Sequence, residues 1–488
     1  MTSTEMAGPG LSGRISHGPA ATVHRLVLQP QFDFEVNALL PFYVAVEKAL
    51  LSEYGRLSIL TADDCALIAG HLSDLNAASL TADPDGNYSD ISLALERYIE
   101  SRLPHPVPAW HVDRSRNDSQ ATAQLMSARA RWCRLAGALL RCAQTVRDRA
   151  AHLTRDPMPG HTHLQAAQVM TPGFWLAALA EHLVHAARRW LTSYDAMDRC
   201  PLGAGAMTGQ ELDWDRHRLA AALGFAAPSR SALSAVASRR WAAELTAELA
   251  LLGTELSRFI TDLMAWGSSE YQFIDLPDAL SGISASMPQK RNFPVLERLR
   301  GKTGHLAASH LDVAVVQRAT PFSNMVEVSK ESTANVHHAL DTADAVIELF
   351  DLVAGNLVFR AEHMADRCRR DFLGGFSLAN ALTIEQGIPW RRAQVIAGAY
   401  ITAAMADGLS PYPGDEELLH NISVRHGHHL KNGGELLSRS FDPNSVLSVK
   451  RSYGSTHPDS VALLLNELGD ELQQLTEEWH ARQVRATP

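Results

Sequence analysis

Apolar residues recur along most of the chain at the spacing of an α-helix. From Trp241 to Leu263 they return at alternating intervals of three and four residues, which places them on one face of a helix of six or more turns. Similar Ala- and Leu-rich stretches predict four more long helices, over about residues 121–151, 172–193, 296–317 and 332–358. Alanine favours helix and permits close helix packing. The pattern therefore predicts an all-α fold built around a helix bundle.

Turn-forming stretches between these helices indicate how the chain is organised. Residues 1–25 are rich in Gly, Ser, Pro and Ala and predict a flexible N-terminal arm. We expect an N-terminal helical region over 26–112, a central bundle over 113–365 and a C-terminal helical region over 366–488. The glycine-rich stretch Gly203–Gly209 lacks the spacing of a nucleotide-binding loop and predicts a tight turn or a helix contact.

Composition restricts the classes of protein to which the chain can belong. Of its 488 residues, 46% are hydrophobic and 20% charged, which is typical of a globular protein. The net charge of -10 argues against nucleic acid or an anionic membrane as a partner but leaves room for a local basic pocket. Five widely spaced cysteines predict no disulfide framework. With no apolar leader or membrane-spanning run, we expect a cytoplasmic protein.

Two polar loops precede predicted helices. The segment His111–Asp118, H-V-D-R-S-R-N-D, groups hydrogen-bond donors where a helix begins, which suits either carboxylate binding or a well-capped, solvated helix start. The segment Gly160–Gln165 contains His161 and His163. Such a pair suits proton transfer near neutral pH or helix capping, and without a nearby carboxylate it is weak evidence for zinc. We predict no metal site and no cofactor.

A third loop, Ser281–Pro294, is the most unusual stretch. It combines serines with Lys290, Arg291 and Asn292. A serine can act as a base only where positive charge or backbone donors stabilise its alkoxide, and both are available in this loop. The loop has no G-x-S-x-G element of the kind found in hydrolases.

The three loops together resemble the signature regions of the argininosuccinate lyase family in the fumarase/aspartase superfamily. R-S-R-N-D at Arg114–Asp118, T-H-L-Q at Thr162–Gln165 and M-P-Q-K-R-N at Met287–Asn292 carry the resemblance, and P-L-G-x-G-A at Pro201–Ala206 extends it. D-P-N-S-V at Asp442–Val446 continues it near the C-terminus. The resemblance implies a homotetramer with a central bundle of twenty helices, in which loops of three subunits form each active site.

The reaction implied is elimination of an amine from an N-substituted aspartate to release fumarate, or the reverse addition, without a metal or cofactor. Ser284 would remove the Cβ proton, Lys290 would help hold the resulting aci-carboxylate, and His163, with Glu297 as its charge partner, would protonate the leaving nitrogen. The cations Arg114, Arg116, Lys290 and Arg291 would converge on a dicarboxylate. The residues implied to bind substrate are Arg114, Ser115, Arg116, Asn117, Thr162, Gln165, Asn292, Asn324, Glu327 and Lys330.

Departures from the family pattern concentrate where the amine should bind. A Tyr, an Asp and a Gln of the family segment near Asn324 are replaced by Ser323, Val326 and Glu327, and Arg240-Trp241 stands where Asp-Phe is expected. A guanidinium requires carboxylates and planar acceptors, several of which are missing. The sequence therefore favours a lyase with an altered amine subsite. The alternatives are a true argininosuccinate lyase, giving arginine and fumarate, and a catalytically silent, crystallin-like relative.

Overall fold

The computed structural model describes residues 17–486, and its first part is a set of short helices. The predicted arm lies mostly outside the described residues, but the chain is already helical from Ala21, so helix begins before the predicted limit at residue 25. These helices are α1 (Ala21–Val23), which continues as a π-helical turn (His24–Leu28), α2 (Gln29–Ala38), α3 (Leu40–Arg56), α4 (Ala62–Ser73) and α5 (Ile91–Glu100).

The central part contains five helices of more than 20 residues, which confirms the predicted all-α fold. The helices here are α6 (Arg116–Ala151), α7 (Pro172–Met197), α8 (Arg216–Ala222), α9 (Ala232–Ala237), α10 (Arg240–Trp266), α11 (Pro294–Gln317), α12 (Ser332–Ala334) and α13 (Val336–Asn356). Helix α6 begins five residues before the predicted start, because Ser115 caps it by accepting a hydrogen bond from the amide of Asn117.

Burial follows the periodicity of the sequence. On α10, Leu245, Leu249, Leu256 and Leu263 are all at most 2% exposed, and this face packs against α11 and α7. Each buried leucine contributes about 1.5–3 kcal/mol relative to an exposed one. The five long helices thus share one continuous apolar core, which also includes apolar side chains of the N-terminal helices.

The long helices have two common ends, which we call end 1 and end 2. At end 1, Gln124 in the first turns of α6 accepts a 2.9 Å hydrogen bond from Arg239, the residue before α10, and Gln317, the last residue of α11, donates to the Arg239 carbonyl. At end 2, Trp175 near the start of α7 stacks edge-on against Trp266, the last residue of α10, at 4.9 Å. The 27 residues of α10 span about 40 Å, so the two ends are far apart.

Strands occur only as short two-stranded ladders among the described residues. Antiparallel pairs are formed by β1 (Met158–Thr162) with β2 (Gln165–Met170), by β5 (Ile274–Asp275) with β8 (Val358–Phe359), and by β6 (Gly282–Ile283) with β7 (Arg291–Asn292). A parallel pair joins β3 (Arg199–Cys200) to β4 (Ala227–Pro228). Two of these ladders, β1–β2 and β6–β7, hold the second and third signature loops.

The C-terminal part divides into two packing units, although the sequence predicted one region over 366–488. Side chains between Leu378 and Phe441 form a separate small core. The last helix instead returns to α6 and α7, where Trp479 donates to the Ala187 carbonyl and Arg482 forms a two-pronged ion pair with Asp195. The helices are α14 (Ala361–Arg370), α15 (Gly375–Ile384), α16 (Trp390–Ala406), α17 (Glu416–Arg425), α18 (Gly433–Phe441), α19 (Pro443–Ser448) and α20 (Pro458–Ala486).

None of the helices in residues 17–486 combines the length and apolarity required to cross a bilayer.

Candidate active site

The first signature loop lies at end 1 and is fastened to the glycine-rich stretch. Asp118 is 2% exposed, and its carboxylate accepts hydrogen bonds from the amides of Gly203 and Gly205 at 3.0 and 2.9 Å. Burial raises the pKa of Asp118 to about 6 against the opposing effect of these amides. Gly205 has a φ of +61°, and a Cβ there would approach the Gly209 carbonyl oxygen to 2.6 Å. The glycine-rich stretch is therefore a tight turn, as predicted.

The same glycine-rich turn also holds Asn117, the residue directly before Asp118. The Asn117 side-chain amide donates to the Ala206 carbonyl at 3.1 Å. Arg116 is exposed and forms a 2.9 Å ion pair with Asp90, the N-cap of α5. Ser115 caps α6. Ser115, Arg116 and Asn117 thus lie together at the start of one helix, where its dipole favours an anion.

Arg114 differs from the prediction, because its guanidinium is directed inward. It forms a two-pronged ion pair with Glu47, which is 3% exposed, and it also donates to His111 Nδ1 at 3.0 Å. Burial and the charge of Arg114 lower the pKa of His111 to about 2, so the imidazole is neutral at pH 7. The Arg114 charge is neutralised within the chain and is not presented to a dicarboxylate.

The second signature loop is the tip of the β1–β2 hairpin at end 2. His163 and Leu164 have φ values of +54° and +61°, which are typical of the two central residues of a type I′ turn. Thr162 pairs with Gln165 in the last rung of the ladder. Thr162, His163 and Gln165 are all exposed. His161 instead turns back into the subunit, with its ring 5.4 Å from the ring of Tyr271, and burial lowers its pKa.

The third signature loop is the β6–β7 hairpin, also at end 2. Gly282 pairs with Asn292 and Ile283 with Arg291, and Ser284 and Lys290 are the first residues beyond this ladder on its two strands. The Ser284 hydroxyl oxygen accepts a 3.1 Å hydrogen bond from the Met287 amide. Lys290 is exposed, and it forms no ion pair with any residue in the described part of the chain. The hairpin thus brings the serine to a backbone donor and carries a cation without an ion-pair partner in the same loop.

Arg291 also departs from the prediction. Its guanidinium forms ion pairs of 2.7 Å with Asp275 and 3.0 Å with Asp278 and donates to the Leu276 carbonyl. It therefore anchors the base of the hairpin and is not available to bind a dicarboxylate. Arg291 and Asp275 line a cavity of about 630 Å³, and Lys290, Asn292 and Glu297 line the same cavity.

The remaining predicted residues lie at end 1, in the segment that follows α11. Glu327 is exposed, whereas the side-chain oxygen of Asn324 is buried without a hydrogen-bond partner among residues 17–486. Lys330 forms an ion pair with Glu35, which is 2% exposed and also accepts from the Gln120 side chain. As with Arg114, an internal carboxylate neutralises a cation that the sequence assigned to substrate.

A buried arginine that sequence reasoning missed lies beside this pair. The sequence drew attention to Arg240, but Arg240 is exposed and pairs with Glu244 at 2.9 Å. Arg239 is the buried one, at 1% exposure, held by Gln124 and by the carbonyls of Val236 and Ser238. No carboxylate in residues 17–486 forms an ion pair with it, and burial lowers its pKa to about 10. The signal in the sequence was the position of Arg239 directly before a strongly periodic helix, with the adjacent Arg240 on the polar face of that helix.

One chain therefore does not bring the predicted residues into one place. The end 1 group is Arg114, Ser115, Arg116, Asn117, Asn324, Glu327 and Lys330, and the end 2 group is Thr162, His163, Gln165, Ser284, Lys290, Asn292 and Glu297. Since α10 separates the ends by about 40 Å, the two groups cannot act on one small molecule within a chain. His163 and Glu297 form no ion pair in the described part of the chain.

Metal ligands are not grouped at either end: residues 17–486 contain no cluster of three or more His, Cys, Asp or Glu side chains suited to holding an ion.

Comparisons with known proteins identify the family of the chain. A family model described as "Lyase" matches residues 65–308, which is half of the chain. The argininosuccinate lyase of Desulforudis audaxviator is 31% identical over 86% of this chain and 90% of its own length. The argininosuccinate lyase of Acidothermus cellulolyticus is 30% identical over 92% and 91% of the two chains.

Solved structures give the same fold. An EDDS lyase in complex with formate superimposes with a TM-score of 0.84 at 23% identity, over 94% of this chain and 92% of that one. A class II fumarase from Schistosoma mansoni superimposes with a TM-score of 0.68 at 15% identity, over 84% and 90%. Family model, relatives and fold thus define a lyase of the fumarase/aspartase superfamily. Within it, the chain belongs to the argininosuccinate lyase family, whose members are carbon–nitrogen lyases.

The inward direction of Arg114 predicts a large effect on stability. Replacing Glu47 by Ala should lower the unfolding free energy by about 3–5 kcal/mol, because a buried guanidinium then lacks its counter-ion. The matched control is Glu385→Ala, which breaks an exposed two-pronged pair with Arg439 and should cost about 0–1 kcal/mol. Urea unfolding followed by circular dichroism measures both. Equal losses in the two variants would contradict the structural role of the Arg114–Glu47 pair.

Proposed function

We propose that the protein eliminates an amine from an N-substituted aspartate to release fumarate, or adds an amine to fumarate, with an amine subsite that differs from that for argininosuccinate. The observation that carries the proposal is the third loop, where Ser284 and Lys290 adjoin the last paired residues of one hairpin and Ser284 accepts a backbone hydrogen bond. Family membership supplies the reaction class. The residue roles are those that the resemblance to the family implies, and the arrangement of the loops supports them.

Ser284 is proposed as the base that removes the Cβ proton. A serine hydroxyl is a weak base, so its alkoxide must be stabilised by nearby positive charge or by backbone donors. The Met287 amide supplies the backbone donor, since it donates to Ser284 Oγ at 3.1 Å. The Lys290 ammonium supplies the positive charge. The Cβ–H electron pair moves toward the neighbouring carboxylate to give a doubly charged aci-carboxylate, which Lys290 and Asn292 stabilise.

Collapse of this intermediate forms the double bond of fumarate while the carbon–nitrogen bond breaks. The nitrogen takes the bond's electron pair and receives a proton, for which His163 is the proposed donor, with Glu297 as the proposed charge partner. The exposed position of His163 at a hairpin tip favours this role, because the imidazole is free to reach a substrate held by another subunit. Thr162 and Gln165 flank it and are proposed to bind a substrate carboxylate.

The second carboxylate is assigned to the start of α6. Ser115, Arg116 and Asn117 present hydrogen-bond donors at a helix N-terminus, which is a favourable place for an anion. Arg116 has only an exposed partner, Asp90, so exchange of that pair for a substrate carboxylate costs little. Arg114 is assigned a supporting role, because it holds the loop on Glu47.

We infer that the active site is shared between subunits of a homotetramer. Residues for one carboxylate lie at end 1 and those for proton transfer at end 2, about 40 Å apart along the bundle. An antiparallel neighbour places its end 2 beside end 1 of the first chain. Apolar residues exposed near the loops agree with such contacts: Leu164 is 80% exposed and Ile283 is 93% exposed.

The amine side is where the chain supports a substrate other than argininosuccinate. Lys330 is neutralised by Glu35, and Arg239 is a buried cation without a carboxylate partner among the described residues. A second guanidinium placed near Arg239 would meet like charge. Glu327 is an acidic side chain in this segment, and its carboxylate can accept a guanidinium. It therefore keeps argininosuccinate as a candidate substrate, in line with the names of the curated relatives.

Replacing Ser284 by Ala should lower turnover by a factor of about 10² to 10⁴, while the variant still assembles and binds fumarate. The measurement is fumarate release followed by ultraviolet absorbance, with fumarate binding followed by calorimetry. Ser286→Ala, in the same loop but without an assigned role, is the matched control and should retain turnover. Near-normal activity of the Ser284 variant would remove Ser284 from the role of base.

Mixed oligomers test the sharing of sites. Asn117→Ala damages end 1 and Ser284→Ala damages end 2, so each variant should be inactive alone. Co-expression with two different tags, followed by purification on both, should give hybrids with restored activity, because some sites then combine two intact ends. Hybrids of Ser284→Ala with Lys290→Ala should stay inactive, because every copy of the third signature loop then carries a damaging substitution. Restoration in neither hybrid would contradict a site built from several subunits.

Substrate comparison tests the altered amine subsite. In the direction of addition, fumarate should react faster with amines that lack a guanidinium than with arginine, because Arg239 repels a second cation. Loss of fumarate absorbance measures the rate, and the Ser284→Ala variant supplies the blank. Fastest turnover with argininosuccinate would assign the chain to that substrate. Absence of both turnover and fumarate binding would instead favour a silent, crystallin-like protein.

A further inference from the structure

The third signature loop is held by a cluster of opposite charges that the proposed chemistry does not use. Arg291 forms ion pairs with Asp275 at 2.7 Å and with Asp278 at 3.0 Å. Arg360 joins from the other side with a 2.8 Å pair to Asp275. Asp275 therefore bridges two arginines. Burial raises its pKa, but the hydrogen bonds from Arg360 and the Leu276 amide and the charge of Arg291 outweigh this effect and lower it.

The cluster joins two independent ladders. Asp275 belongs to β5, which pairs with β8 immediately before Arg360, whose own amide donates to the Phe273 carbonyl. Arg291 belongs to β7, which pairs with β6 immediately before Ser284. The ion pairs thus connect the hairpin with the proposed base to a ladder that packs near the ends of α10 and α13. The hairpin has only two rungs of its own, which is too little to be stable alone.

We propose that Arg291 is a positioning residue, which sets the register and facing of the β6–β7 hairpin so that Ser284 and Lys290 meet across it. The inference rests on the proposed role of Ser284. Successive side chains of a strand point to opposite faces. With Arg291 held on the face toward Asp275 and Asp278, Lys290 and Asn292 point to the other face.

A slip of one residue in this short ladder would reverse the arrangement. Because the side-chain period is two, it would turn Lys290 toward the aspartates and Arg291 toward the substrate. The aspartates then discriminate between the two registers by geometry: the guanidinium bonds Asp275 and Asp278 together and also reaches the Leu276 carbonyl. A lysine ammonium cannot provide this planar, forked set of donors. Arg291 and Lys290 are therefore adjacent cations with different tasks.

The test is the kinetics of Arg291→Gln in the assembled enzyme. We expect kcat to fall about 10- to 100-fold, the loss associated with a misplacement of about 1 Å, with little change in KM, because the carboxylate site at end 1 is untouched. Arg291→Lys should recover only part of the rate, since it keeps the charge and loses the fork. The double variant Asp275→Asn/Arg291→Gln should lose less kcat than the two single variants combined, as expected for residues that share an interaction.

Hydrogen exchange supplies a second readout. The Met287 amide donates to Ser284 Oγ, and its exchange should become faster in Arg291→Gln, while amides of α10 stay unchanged. The matched control is Arg439→Gln, which removes an exposed arginine paired with Glu385 far along the chain and should leave kcat and this exchange unchanged. Should Arg291→Gln fail to fold, Asp278→Asn removes one partner at a fully exposed side chain and should lower kcat by a smaller factor.

The outcomes separate this inference from the proposed function. An inactive Ser284→Ala together with a normal kcat and normal Met287 exchange in Arg291→Gln would overturn the positioning role and leave the base assignment standing. An active Ser284→Ala would overturn the base assignment. Loss of tetramer in Arg291→Gln, measured by light scattering, with an unchanged kcat per remaining tetramer would show a purely structural role and also overturn the inference.

Discussion

The length of the bundle helices is the constraint on which the rest of the structure depends. A helix advances 1.5 Å per residue, so helices of 21 to 36 residues carry the chain from one end of the molecule to the other at each pass. Every connecting loop must then lie at end 1 or end 2. The first signature loop precedes α6 at end 1, whereas the second and third loops follow α6 and α10, which both run from end 1 to end 2. A site that needs all three loops requires chains packed in opposite directions.

Much of this arrangement can be predicted from the sequence, because it depends on local patterns. The period of Leu245, Leu249 and Leu256 predicts α10, and the buried face confirms it. The motif R-S-R-N-D predicts a capped helix start, and Ser115 caps α6. Loop chemistry is also local: the Ser284 hydroxyl and the Met287 amide are three residues apart and are joined by a hydrogen bond. The positions of the loops at opposite ends follow from the helix lengths.

Interactions between distant segments were not predictable in this way. Arg114 meets Glu47, and Lys330 meets Glu35, across 67 and 295 residues of sequence. Neither glutamate belongs to a motif, and each lies on an ordinary amphipathic helix. The burial of Arg239 could not be predicted for the same reason. Arg239 and Arg240 are adjacent residues of the same type, and only the packing of α10 decides which of them is buried. The return of the last helix to α6 and α7 depends equally on tertiary contacts, such as Trp479 with the Ala187 carbonyl.

These contacts divide the cations near the loops into two functional classes. Arg114, Arg291 and Lys330 each have a carboxylate partner within the chain. For Arg114 and Lys330 that partner is a buried glutamate, which would lose its counter-ion if the cation turned to a substrate. Their charges hold loops in place. Lys290 and Arg239 form no ion pair in the described part of the chain. Lys290 is exposed at the third loop, whereas Arg239 is buried beside Gln124. In the proposed function, Lys290 stabilises the negative charge that develops during proton removal, and Arg239 disfavours a cationic amine.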